Sequence, residues 1–119
     1  MPADRARIHA PLPGRPVRGS STGRPVMALL DLLGRRWTLR LLWELRAGQA
    51  ETFRSLQARM DGVSPSILNT RLKELRDAQV VELDGEGYRL TESGTRLLAT
   101  LEPLGRWASD WARALQRGR

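Results

Sequence analysis

The sequence predicts a mainly α-helical domain that carries one small β-hairpin. Three observations point there. Apolar residues recur at spacings of three and four through most of residues 24–119. Ser64-Pro65 is a helix-start signal, and two short runs, Val80 to Leu83 and Tyr88 to Thr91, flank a Gly-containing turn. A chain of 119 residues has room for one compact domain.

Residues 1–23 hold Pro2, Pro11, Pro13, Pro16, three glycines and four arginines, with little apolar content to offset the entropy of ordering them. A flexible tail is expected there, leaving 24–119 as the folded domain. Pro25 suits a first helical turn, and Val26, Leu29, Leu30 and Leu33 mark a helix that Gly34 interrupts. From Trp37 to Arg46 apolar side chains run nearly all round, with Arg40 and Glu44 on the one polar strip, which predicts a helix at the centre of the core. Phe53, Leu56 and Met60 mark a short helix behind a Thr52 cap, stopped at Gly62. The turn Asp61 to Val63 leads to Ser64 as cap and Pro65 as first helical residue.

That helix is predicted to run from Pro65 to about Ala78. It buries Leu68, Leu72 and Leu75, and at 100° per residue its far side shows Ser66, Thr70, Lys73 and Asp77, with Asn69 on one flank. The hairpin follows, its strands joined by Asp84 to Gly87. Thr91 can cap a last helix carrying Leu97, Leu98 and Leu101. Pro103 allows a break or kink there, and Leu104, Trp107, Trp111 and Leu115 continue an apolar stripe.

Composition excludes more than it proves. The net charge of +7 comes from 20 basic residues, all arginine except Lys73, a bias that codon usage can also produce, so the charge alone is a weak pointer to a polyanion. Arg5, Arg7, Arg15 and Arg18 against Asp4 place +3 in the tail and leave +4 on the domain. With no cysteine there is no disulfide, thiolate metal site, thiol nucleophile or redox switch. The single His9 lies in the tail, and no carboxylate pair, phosphate loop or activated nucleophile is legible, so neither an enzyme nor a metal or cofactor site is expected. The longest apolar run, Val26 to Leu30, is too short for a membrane span, and no secretory h-region is visible. A soluble cytoplasmic protein is the expectation.

The order helix, helix, short helix, three-residue turn, capped helix, hairpin, long helix is that of a winged helix-turn-helix. Over roughly residues 24–111 the chain resembles the HxlR-type winged helix-turn-helix transcriptional regulators of the MarR-like group. The matching stretches are Pro25-Val26, Leu32 to Thr38, Leu41 to Leu45, Thr52 to Leu56, Val63 to Leu75 and Tyr88 to Gly94. The resemblance implies a two-fold dimer with paired recognition helices, DNA as partner and, by family analogy, repression. Leu104, Trp107, Trp111 and Leu115 are the expected dimer interface.

A helix start placed in the major groove must present short hydrogen-bonding side chains, and Ser64, Ser66, Asn69, Thr70 and Lys73 are the candidate base readers. Asn69 suits adenine and the Thr70 methyl suits thymine. Thr52, Arg35, Arg36, Arg54, Arg71 and Arg89 are the candidate backbone contacts. Two features depart from the family. The turn of the hairpin is short and acidic, so it is expected to add little on DNA. Arg24 stands where many members carry a sensing cysteine. The tryptophans read as core and interface mass, the sharper alternative being a pocket for a small apolar effector bordered by Trp107 and Trp111. A winged helix used for protein–protein interaction is the competing functional class, suggested by the acidic turn and the modest charge of the domain.

Overall fold

A computed structural model describes residues 10–118. Among them the elements follow in the expected order: α1 (Pro25–Leu33), α2 (Thr38–Glu44), α3 (Phe53–Arg59), α4 (Pro65–Asp77), β1 (Val81–Asp84), β2 (Gly87–Leu90) and α5 (Glu92–Arg117). Leu41, Leu42 and Leu45 of the α2 region, Leu56 and Met60 around α3, and Leu68, Leu72 and Leu75 of α4 form the buried centre, closed by Val80, Val81 and Leu90 of the hairpin. A Leu→Ala change at such sites costs about 2–5 kcal/mol.

α2 differs from the expectation of a helix buried all round. It is shorter, and Leu39 and Trp43 stay about half exposed while Leu41 and Leu42 are buried. Trp37 is not its first turn but its cap, in the left-handed region at φ 79°, with its ring partly buried against the core. A one-sided neighbourhood is the reason: α1 and α3 both pack against α2, and among the described residues Leu39 and Trp43 stay on its more open face.

The hairpin is tighter than the sequence suggests. Asp84 pairs with Gly87, so two residues rather than four make the turn. Glu51 adds a one-residue third rung, exchanging backbone hydrogen bonds with Tyr88 at 2.8 Å each way. That close approach explains Gly87, where φ is 135° and a Cβ would lie 2.5 Å from the Glu51 carbonyl oxygen.

α5 is one helix through Pro103, without the allowed break. Ala99, whose carbonyl loses its bond to the proline, is exposed, as are residues 102–118, so that carbonyl can turn to water. Its start is seated by Thr91, whose side chain accepts from Gly94 N–H at 3.0 Å. Gly94 itself touches the chain entering β1, where an added Cβ would collide with the Val80 carbonyl. Leu97, Leu98 and Leu101 then pack on the core, and the rest of the helix leaves the body.

Of the expected tail, residues 1–9 lie outside the described residues. Residues 10–23 form a hydrogen-bonded turn before α1, where Gly14 N–H donates to Gly23 O at 2.9 Å and Val17 pairs with Ser20. Ala10 is buried, and Arg18 N–H donates to the Asp31 carboxylate at 3.1 Å. Hydrogen bonds to backbone and side-chain oxygens hold this segment, which a reading of its apolar content alone does not register.

Candidate nucleic-acid interface

The α3–turn–α4 unit is set by two caps. The Thr52 hydroxyl accepts from Ser55 N–H at 3.0 Å at the start of α3, and the Ser64 hydroxyl accepts from Ile67 N–H at 3.1 Å at the start of α4. Each satisfies a helix-end donor that would otherwise face only solvent, worth about 1 kcal/mol. Between them Gly62 takes φ 78°, and the buried Val63 drops into the core and fixes the crossing. Opposite the buried Leu68, Leu72 and Leu75, α4 exposes Ser66, Asn69 and Lys73, with Thr70 half-buried beside them.

The orientation of α4 is fixed by a group that the sequence does not single out, Glu74. Its side chain is 3% exposed, yet it carries a carboxylate held from two sides. Arg35 donates to one oxygen at 2.8 Å and Arg71 to the other at 3.2 Å. Arg71 Nε also donates to the Arg36 carbonyl at 2.7 Å, which ties α4 to the loop between α1 and α2. Donors on both oxygens satisfy the hydrogen bonding that burial takes from this carboxylate. The legible signal was only the three-residue spacing of Arg71 and Glu74; Arg35 lies thirty-nine positions away.

The candidate cations therefore fall into two sets. Arg35, Arg71 and Arg89 are engaged by carboxylates of the same chain. Arg36, Arg54, Lys73 and Arg76 are exposed and form no ion pair with another described residue. Arg36 lies over the Trp37 ring at 5.7 Å, a contact that leaves its donors available. In the hairpin turn, Arg89 bonds Glu86 at 2.9 Å and Asp84 at 3.1 Å, which raises its already high pKa. Asp84 in turn lies below the usual carboxylate range, chiefly because the backbone N–H of Glu86 donates to it. Arg40 and Arg59 are likewise bound to Glu44, Glu51 and Asp61 on the side of α2 and α3.

The other large exposed feature is apolar. Leu104, Trp107, Trp111 and Leu115 are 49–61% exposed, and the two tryptophan rings stack with centroids 5.5 Å apart. An apolar cleft of about 700 Å³ lies elsewhere, between Trp43, Leu90, Leu98 and Leu101, with neither Trp107 nor Trp111 in its wall.

The arrangement has known relatives. The family model of the HxlR-like helix-turn-helix matches residues 32–116. The chain belongs to that family. An uncharacterized HTH-type transcriptional regulator of Methanocaldococcus jannaschii is 32% identical over 92 residues, which is 74% of this chain and 86% of that protein. The crystal structure of quinone-bound YodB from Bacillus subtilis superposes with a TM-score of 0.67 at 32% identity, covering 71% of this chain and 96% of that one. A possible HxlR family transcriptional factor from Thermoplasma volcanium gives 0.65 at 31% identity, covering 75% and 85%.

This HxlR-like protein is thus a transcriptional regulator with a winged helix-turn-helix DNA-binding domain, and its family and relatives are regulators rather than enzymes. No helix among its described residues is long and apolar enough to cross a membrane.

Proposed function

We propose that this HxlR-like regulator is a cytoplasmic homodimer that reads a two-fold symmetric operator with α4 in the major groove and represses transcription there. The observation that carries the reading is the state of α4: it is capped, locked through Glu74, and presents the side chains of Ser66, Asn69 and Lys73 with no partner among the described residues. Ser64, although it accepts from Ile67, keeps a hydroxyl proton to donate. Arg36, Arg54 and Thr52 flank this face and suit phosphates, while Arg35, Arg71 and Arg89 offer less because carboxylates already hold them. The stripe Leu104, Trp107, Trp111 and Leu115 is a contiguous exposed apolar patch of the kind that marks an interaction site, and a second copy would cover it. Half-sites would then lie about 34–36 Å apart, one turn of DNA.

Selection of duplexes from a random pool, followed by fluorescence polarisation, tests this. A single preferred palindromic sequence is expected, with log Kd rising linearly with log salt. Asn69→Ala is expected to relax the preference at one base pair. Trp111→Asp is expected to convert dimers to monomers in light scattering and to weaken operator binding at least about a hundredfold, because two linked half-sites become one. Binding with no sequence preference, or a monomer that binds as tightly, would overturn the reading. The self-paired acidic turn favours one rival, a protein-interaction module, which capture of a stable protein partner without DNA preference would support. With Arg24 before Pro25-Val26 and no cysteine in the sequence, regulation comes from a noncovalent ligand, a partner protein or the level of the protein itself rather than from a thiol of its own.

A further inference from the structure

Ile67 is the one large apolar side chain that α4 leaves exposed, at 38%, and it sits in the first turn, where a helix in the major groove meets base edges. Its position is fixed rather than loose. The Ile67 N–H is the group the Ser64 cap holds, and a β-branched side chain in a helix has one preferred χ1 rotamer. Thr70, three residues on, lies beside it on the helix surface. The Thr70 hydroxyl donates back to the Ser66 carbonyl at 3.0 Å, which leaves its methyl as the group it offers outward. Arg71, four residues on, is pinned by its Nε bond to the Arg36 carbonyl and cannot swing across. The exposed arc of α4 therefore has a polar flank, Asn69 and Lys73, and a preorganised apolar flank, Ile67 and Thr70.

Resting on the reading of α4 as the groove-reading helix, we infer that Ile67 and the Thr70 methyl together read the C5-methyl group of a thymine in each half-site. In the major groove that methyl is the one apolar mark distinguishing the four base pairs, and an aliphatic contact is how a side chain recognises it. Polar substitution at Ile67 would keep the helix soluble but lose this discrimination. The same contact rejects cytosine, which lacks the methyl.

The test uses the full chain and the duplex recovered by selection, with each thymine replaced in turn by deoxyuridine, which deletes only the methyl. At one thymine per half-site the replacement is expected to weaken wild-type binding about fourfold. Ile67→Ala is expected to bind the unmodified duplex more weakly and to lose most of its sensitivity to that replacement, the Thr70 methyl keeping the remainder, with Ile67→Val intermediate. Thr70→Ser, which keeps the back-bonded hydroxyl and deletes the methyl, loses affinity, whereas Thr70→Val retains it. Equal sensitivity to deoxyuridine in wild type and both Ile67 variants, or none at any thymine, overturns the inference while a selected sequence leaves α4 as the reader. Absence of any selected sequence overturns both. Unchanged thermal unfolding of Ile67→Val ensures that its loss is one of contact.

Discussion

The recognition helix and the hairpin each carry a cation that a phosphate could meet, and the two are not equivalent. Lys73 stands on α4 without an ion-pair partner among the described residues, while Arg89 is closed onto Asp84 and Glu86 within its own turn. A phosphate approaching Lys73 gains a new charge contact; one approaching Arg89 must compete with two carboxylates and is repelled by them. A formal charge count treats the two alike. What matters for a polyanion is the cation left over after the protein has paired its own, and Arg54, Lys73 and Arg76 of α3 and α4 are among those left over.

The largest test of that contrast removes what holds α4 in place. Glu74→Ala leaves Arg35 and Arg71 without their shared acceptor and is expected to cost about 2–3 kcal/mol in urea unfolding, less than a fully buried pair would because both arginines are partly exposed. If stability is unchanged, the helix is positioned by its leucines alone.

Next in size, Lys73→Ala should weaken operator binding about tenfold and lower the salt slope by about one, while Arg89→Ala should change affinity by less than about twofold and leave the slope alone. Equal losses would erase the distinction between helix and hairpin. Smallest is the reverse experiment. Asp84→Asn with Glu86→Gln frees Arg89 and should raise nonspecific affinity about two- to threefold with a steeper salt slope. The sign of the pH effect agrees: the folded protein holds Asp84 below the usual carboxylate range, so its clasp on Arg89 is complete at neutral pH and is lost only as pH falls through that lowered value. Binding to random DNA is therefore expected to show no contribution from this turn between pH 8 and 5.

Much of the fold was legible because its signals are local. The Thr52, Ser64 and Thr91 caps each act on a donor three residues away, and each is formed as the sequence suggests. The spacing of Leu68, Leu72 and Leu75 likewise names the buried side of α4 without reference to anything else. The misread features depend on distant neighbours. α2 is apolar nearly all round, yet which of its leucines is buried depends on where α1 and α3 lie, and Leu39 and Trp43 end on the open side. Ile67 falls outside the Leu68, Leu72 and Leu75 spacing, but only the folded helix shows that its side chain stays exposed.

The sequence by itself determined the order of the elements, the caps of α3, α4 and α5, the polar face of α4, and the absence of any thiol chemistry. Those follow from periodicity and residue type, which act over three or four positions along the chain. Only the tertiary structure decided which cations are spent and which are free. Arg35 looks like Arg36 in the sequence, but one meets Glu74 across the domain at 2.8 Å and the other faces solvent. A Coulombic partner is chosen by distance in space, and folding sets that distance.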